Sequence, residues 1–270
     1  MLILILGGGD LASGVALRLY RAGLRVVITE LPQPLAVRRT VSFAEAAYHG
    51  ETTVEGITAR KVTDPTDKLR ILSVLGKGYI PVLIDPEASA IGELHPGVIV
   101  DARMRKIRAE LLGSPGTLVI GLGPGFEAGV NCAAAIETQR GHTLGRVYWQ
   151  GTPAPDSGLP DPVEDHQSER VLRAPVNGLV EVQAQIGDII EAGQPIANIG
   201  EQAVVAPFRG LLRGLIHPGI SISQGEKIGD LDPRLDPRLV TLVSDKALAV
   251  GGGVLEAILT RPNLRSHLWG

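Results

Sequence analysis

The sequence predicts an α/β fold class, with a doubly wound parallel sheet over residues 1–150 and a second, all-β domain over residues 170–235. Three observations predict it. The N-terminal strand candidates are continuous apolar runs rather than alternating ones, as in parallel strands covered on both faces. Residues 151–169 carry four prolines and almost nothing apolar, the composition of a linker. Beyond the linker, glycine recurs every few residues and the chain repeats itself at one fixed offset.

The elements follow in order. Leu2-Ile3-Leu4-Ile5-Leu6 reads as a strand, Gly7-Gly8-Gly9 as a turn, and the run up to Ala22 as a helix closed by Gly23. Val26-Val27-Ile28 is the second strand. Later strands are expected at 81–85, 98–101, 118–121 and 146–149, with helices at 44–48, 65–75 and 128–138. In the all-β part, Ala174-Pro175, Gly178, Gly187, Gly193 and Ile196 recur as Ala206-Pro207, Gly210, Gly219, Gly225 and Ile228, each 32 positions later. That repeat implies two copies of one supersecondary unit related by a pseudo-two-fold axis. In the last segment, 236–270, Ser244-Asp245-Lys246-Ala247 marks a helix start, and the segment is expected to pack back on the α/β domain. Gly251-Gly252-Gly253 weakens the helix there and suggests a turn or a close-packing site.

Composition narrows the function. At 270 residues, 44% hydrophobic and 20% charged, the chain has a globular composition. Only 3% of residues are aromatic and the net charge is −3, which argues against base stacking and against nucleic acid as a partner. The single cysteine, Cys132, excludes an intrachain disulfide and a cysteine-built metal centre, and no metal site is expected. No stretch reaches about 18 uninterrupted apolar residues, so the expectation is a cytoplasmic protein with no membrane partner; homo-oligomerisation stays open.

Chemistry concentrates at predicted strand ends. Gly7-x-Gly9-x-x-Ala12 lies between a strand and a helix, and Glu30 ends the next strand about 20 residues on, a Rossmann-like arrangement. Gly7, Gly8, Gly9, Asp10, Leu11 and Ala12 would bring backbone amides to a phosphate, with Glu30 on ribose hydroxyls. Asp10 would repel phosphate unless it points away or meets a ribose. The alternative is a turn kept for packing. Gly121, Gly123 and Gly125 repeat the design, but Pro124 removes a donor, leaving a cradle or a shaped wall. Asp85, Asp101 with Arg103, and Arg38 with Arg39 are the strand-end charges; the arginines suit phosphate or carboxylate, or, for Arg38 and Arg39, form a solvated helix face. Glu137 to His142 reads as a helix C-terminus with ordinary capping, with His142 an acid or base if it returns to the crevice. Cys132 reads as a small buried hydrophobe, or as a reactive thiol if a helix N-terminus lowers its pKa.

The repeat resembles the barrel-sandwich hybrid of biotinyl and lipoyl carrier domains. Its central hairpin would be Asn198-Ile199-Gly200-Glu201-Gln202, yet no lysine occurs between Arg170 and Glu226, so the attachment point of a carrier is missing. A rigid interaction or oligomerisation module is the expectation.

Long motifs carry a wider resemblance: Gly8-Gly9-Asp10-Leu11-Ala12-Ser13-Gly14-Val15-Ala16, Arg21-Ala22-Gly23, Thr29-Glu30, Arg38-Arg39-Thr40-Val41-Ser42-Phe43, Val100-Asp101-Ala102-Arg103-Met104, Gly121-Leu122-Gly123-Pro124-Gly125-Phe126, Ile136-Glu137-Thr138-x-Arg140-Gly141-His142-x-Leu144-Gly145-Arg146 and Leu172-Arg173-Ala174-Pro175. Over nearly its whole length the chain resembles the YqeB-type accessory proteins of selenium-dependent molybdenum hydroxylase systems. The resemblance implies service in maturation of a xanthine dehydrogenase-like hydroxylase, with the hydroxylase apoprotein as partner. By analogy with sulfuration factors of the XdhC type, it also implies binding of the molybdenum cofactor, a molybdopterin nucleotide, or help in delivering sulfur or selenium. With one cysteine, a two-thiol relay within the chain is excluded. No catalytic residue transfers. Two alternatives stand beside this one: an NAD(P)-dependent oxidoreductase, because the loop with Glu30 also resembles that of siroheme-pathway dehydrogenases, and a scaffold whose nucleotide fold is empty.

Overall fold

The computed structural model describes residues 1–110, 112, 113, 115–160 and 162–269, so Asp161 of the expected linker lies outside the described residues. The chain divides into two compact units: Met1–Pro34, Ser42–Asp156 and Val243–Gly270 form the first, and Leu35–Val41 with Ser157–Leu242 the second.

The first unit runs β1 (Leu2–Leu6), α1 (Asp10–Arg21), β2 (Arg25–Glu30), α2 (Ala46–His49), β3 (Glu51–Val54), β4 (Ile57–Val62), α3 (Lys68–Gly76), β5 (Ile80–Ile84), α4 (Ala90–Leu94), β6 (Val98–Asp101), β7 (Leu118–Leu122), β8 (Ala134–Ile136) and β9 (Val147–Tyr148). These strands form one nine-stranded sheet in the order β3-β4-β5-β2-β1-β6-β7-β8-β9. Ile3 to Leu6 of β1 and Val27 and Ile28 of β2 are fully buried, because the middle of the sheet is covered on both faces. On one face Ile71 and Val74 of α3 and Ala90 of α4 pack on Leu4, Leu6, Val27, Leu83 and Ile99.

The doubly wound parallel sheet is corrected here. The sheet is mixed: β3 pairs antiparallel with β4, and β9 antiparallel with β8, so both edges reverse direction. A doubly wound fold also places a helix on each crossover, whereas the described residues between β6 and β7, and between β7 and β8, contain none. The helix expected over 128–138 is absent. Ala134–Ile136 instead adds β8 alongside β7, Ile120 opposite Ala134, and this pairing overrides the helix propensity of the alanines.

The second unit holds β10 (Val171–Arg173), β11 (Gly178–Val182), β12 (Ile189–Ile190), β13 (Pro195–Ile199), β14 (Gln202–Val205), β15 (Gly210–Leu215), β16 (Ser221–Ile222), β17 (Lys227–Asp232) and α5 (Arg238–Thr241). They form two separate four-stranded antiparallel sheets, β10-β17-β15-β12 and β14-β13-β11-β16, and the expected carrier-like barrel-sandwich class gives way to this description. The 32-residue repeat is written into the pairing: it carries β14-β13-β11-β16 onto β10-β17-β15-β12, strand for strand. Gly187 N donates to Leu212 O at 2.9 Å while its repeat mate Gly219 N donates to Val180 O at 2.8 Å, so each copy reaches into the other. Both glycines hold positive φ, +105° and +79°, which explains why the repeat preserves glycine there. Leu35–Val41 joins this unit by a backbone bond from Leu215 N to Val37 O at 2.9 Å.

The first unit closes with α6 (Asp245–Leu259) and α7 (Pro262–Trp269). Ser244 Oγ caps α6 by accepting from Ala247 N at 3.1 Å. The three glycines do not break this helix, and two of them, Gly251 and Gly253, let it sit close to its neighbours. A Cβ at Gly14 of α1 would lie 2.5 Å from Ala247 Cβ, and one at Gly253 would lie 2.2 Å from Gly145 O.

Candidate functional site

The register of the sheet builds the site. Leu6 at the end of β1 lies opposite Thr29 of β2 and Asp101 of β6, so the carboxyl ends of three adjacent strands bring Gly7–Gly9, Glu30 and Asp101–Arg103 to one edge. Gly7 turns the chain at φ +90°, donating to Thr29 O at 2.9 Å. Gly8 is enclosed. Its N–H donates to Glu30 Oε2 at 2.6 Å, and its carbonyl accepts from Ala44 N at 2.8 Å and from Ser13 Oγ at 3.1 Å. A Cβ at Gly8 would lie 3.0 Å from Ala44 N. Gly9 is the open position: no atom lies within 4 Å of where its Cβ would be, and it caps α1 without a side-chain acceptor. Asp10 stands in the first turn of α1, Leu11 is half-buried, and Ala12 is buried.

Glu30 spends its carboxylate on the protein itself, Oε2 on Gly8 and Oε1 on Leu31 N at 2.7 Å. Burial pushes its carboxyl above the ordinary value, and the N–H bonds from Leu31 and Gly8 only partly offset that. Asp101 is fully buried and holds Arg103 by a two-point pair, with Arg103 Nε on Oδ1 at 2.9 Å and Nη2 on Oδ2. The hydrogen bonds that Arg103 donates to Asp101 raise its guanidinium further, so it stays charged. Arg103 crosses Gly7, whose Cβ would lie 3.5 Å from Arg103 Cγ.

The second glycine turn is a wall, of the two readings the sequence left open. A Cβ at Gly121 would strike the Phe126 ring at 2.0 Å, and one at Gly125 would lie 2.6 Å from Arg105 O. Gly123, at φ +85°, donates to Ile136 O at 3.1 Å. All three glycines make room for the chain's own atoms, with Phe126 buried on Gly121.

Other candidates take structural duties. Arg38 and Arg39 belong to the second unit, where Arg38 Nη2 donates to Leu239 O at 3.0 Å and Arg39 Nε to Leu215 O at 2.7 Å. They are not a solvated helix face. Asp85 accepts from Ser89 N, Ser89 Oγ and Ala90 N at 2.8–2.9 Å, starting α4. Glu137, 1% exposed, accepts from Thr138 N, Gln139 N and Ala154 N, and follows a strand rather than ending a helix. Arg140 pairs with Asp245, and His142 is exposed. Burial pushes the Cys132 thiol up to about 11, so no helix N-terminus activates it.

Two clusters escaped the sequence reading. Arg170, Arg213 and Arg234 surround Asp230 and Asp232 at the end of β17, with Arg213 Nη2 to Asp230 Oδ2 at 2.6 Å and Arg234 Nη2 to Asp232 Oδ2 at 2.8 Å. Burial alone would raise both carboxyls, but the arginine hydrogen bonds and charges, with Lys227 beside Asp230, hold them below the usual range. The Asp-x-Asp spacing on a strand was the available signal, since alternate residues share a face. The other cluster is Arg103, Arg105, Lys106 and Arg108, visible as four cations in six residues.

Comparison with known proteins adds one strong likeness. The chain is 45% identical over 258 residues, 96% of its length, to uncharacterized protein YqeB of Escherichia coli (strain K12). The chain is similar to YqeB. It spans 47% of that relative, about half of its length. No protein-family model matches the chain. Among solved structures, an aspartoacylase family protein from Mesorhizobium loti is 10% identical with a TM-score of 0.26, covering 87% of this chain and 85% of that one. A succinylglutamate desuccinylase/aspartoacylase from Rhodobacter sphaeroides is 14% identical with a TM-score of 0.27, covering 87% of this chain and 86% of that one. TM-scores this low establish no shared fold. No helix among the described residues is long and apolar enough to cross a membrane.

Proposed function

We propose that this protein is an accessory factor in maturation of a selenium-dependent, xanthine dehydrogenase-like molybdenum hydroxylase, and that its first unit binds a phosphate-bearing nucleotide or the molybdenum cofactor. The maturation role rests on the motif resemblance to YqeB-type accessory proteins. The ligand reading rests on one observation: Gly9, Glu30 and the Asp101-held Arg103 converge at the carboxyl edge of parallel strands. In such sheets that edge is where ligands bind.

The residues present fit a phosphate-bearing group in part. Open space at Gly9 admits a ligand to the start of α1, Arg103 supplies a fixed cation, and Glu30 offers an acceptor for hydroxyls once Gly8 releases it. A bound molybdopterin nucleotide would bring the metal chemistry of the hydroxylase, while these residues orient its phosphate and ribose. Thiol transfer through Cys132 has no part in this reading, because a buried thiol at about 11 is nearly all protonated at neutral pH.

One specific observation favours the scaffold reading: the Gly8 amide, the donor a phosphate would want, is already held by Glu30 at 2.6 Å. Reconstitution separates the two. Apo-hydroxylase matured with the wild-type chain should gain more molybdenum and selenium, by elemental analysis, than without it. In parallel, the chain's melting temperature is followed with NAD(H), nucleotides and molybdopterin, where a ligand at one hundred times its Kd adds about 2.7 kcal/mol. Stabilisation by NAD(H) alone would favour a dehydrogenase. Metal gain without stabilisation by any ligand would leave a scaffold, and neither effect would end the proposal.

A further inference from the structure

We infer that residues 103–108, on the loop that leaves β6 between the two glycine turns, form a clamp for a phosphate or pyrophosphate group; this rests on the ligand reading above and specifies the chemistry of the end that is recognised. In a chain of net charge −3, Arg103, Arg105, Lys106 and Arg108 place four cations in six residues. A solvated loop of that charge would repel itself, yet this one is fastened at both ends. Arg103 is bound at two points to buried Asp101. At the far end Ala109 N donates to Gly125 O at 3.0 Å, and Asn131 Nδ2 donates to Ala109 O at 2.9 Å. Between them the backbone presses on the second glycine turn, with the carbonyls of Arg105 and Ile107 at 2.6 and 2.7 Å from a Cβ at Gly125. Met104 sits at φ +54°, a conformation that non-glycine residues adopt rarely and that collects at binding sites.

The charges so held are not all used within the chain. Lys106 pairs with Asp156 at 2.7 Å, whereas among the described residues Arg105 and Arg108 make no ion pair. Arg103, whose Cγ lies beside Gly7, gives Nε and Nη2 to Asp101 and leaves the N–H groups of Nη1 without a partner among the described residues. Guanidinium groups match phosphate oxygens two at a time, and their surplus here lies on the loop that passes from Gly7, beside Arg103, to Gly125, beside Arg105. The geometry therefore selects a compact, multiply charged oxyanion.

The test is calorimetric titration of the full chain with inorganic pyrophosphate, ADP and adenosine, in the wild type and in an Arg105→Gln, Arg108→Gln double variant whose melting curve reports its fold. Pyrophosphate and ADP should bind at least tenfold more tightly than adenosine, weaken with added salt, and lose at least tenfold in the variant while the melting temperature holds. Absence of pyrophosphate binding by the wild type, or equal affinity in the variant, overturns the clamp. Pyrophosphate binding that the variant loses, with no binding of ADP, supports the clamp and removes the nucleotide reading instead.

Discussion

Two neighbouring glycines in one helix should respond to the same substitution with opposite sign. Gly252 and Gly253 both lie inside α6, where replacing glycine by alanine removes backbone freedom from the unfolded chain and gains up to about 1 kcal/mol. At Gly252 nothing lies within 4 Å of the added methyl, so the whole gain should appear. At Gly253 the methyl would sit 2.2 Å from Gly145 O and 3.0 Å from Ile136 Cγ2. One of these is backbone and cannot rotate away. Overpacking costs about 1–3 kcal/mol, and a backbone collision belongs at the upper end, so the net effect is a loss of about 1–2 kcal/mol. In a chain of this size each kcal/mol moves Tm by about 2–4 °C. Differential scanning calorimetry of Gly252→Ala and Gly253→Ala therefore expects a rise for the first and a fall for the second. Equal shifts in one direction would show that α6 does not lie against Gly145 and Ile136 as described.

Glu30→Gln tests the carboxylate that closes the turn. A carboxyl raised above 4.5 favours folding most when protonated, so the wild type should lose stability as pH rises from below that value through the raised one. The glutamine variant should lack this slope, read as the difference in Tm between the two proteins across pH 4 to 8; a flat difference refutes it. With its thiol near 11, Cys132 should exist as thiolate at only about one part in a thousand at pH 8, so iodoacetamide should label it fast only in denaturant, as mass spectrometry would show. Prompt labelling of the native chain would contradict the burial. Asp232→Ala should destabilise by about 3–5 kcal/mol, since it strands Arg170 and Arg234 beside Asp230. The two aspartates are held low, so their stabilisation is present above the ordinary carboxylate range and disappears as pH falls through their lowered values; urea unfolding from pH 2 to 6 should show that loss in the wild type and less of it in the variant.

Much of the sheet was legible because burial on both faces leaves a compositional mark. Leu2–Leu6 and Val98–Asp101 are nearly pure aliphatic runs, and no helix of that length would suit them. The order of strands was not legible: β3 and β9 reverse the edges through pairing that only tertiary structure decides. Ala133 to Ile136 misled for the same reason, as alanine suits a helix until a neighbouring strand supplies partners. The triple glycine misled differently. Read alone it breaks a helix; in place it lets α6 approach Gly145 and α1. Of the site, Gly7–Gly9, Glu30, Asp101 and Arg103 were readable as strand-end residues. That Glu30 would answer Gly8 could not be read, because one acid at that position serves a ribose or an amide equally well. The bonds of Arg38 and Arg39 could not be read, because their partners, Leu239 and Leu215, lie far along the chain.

The sequence discontinuity of the first unit constrains the order in which the molecule can be made. Its sheet draws on residues 2–148, but α6, which packs on α1 and on β8, leaves the ribosome only after residue 259 has been added. Until then the part of the apolar sheet that α6 covers, at β7 and β8, stands bare, while every strand of the second unit has already been synthesised. A nascent chain stalled before α6, or a truncation that removes it, should therefore be a client for chaperones even though every residue of the glycine turn is present.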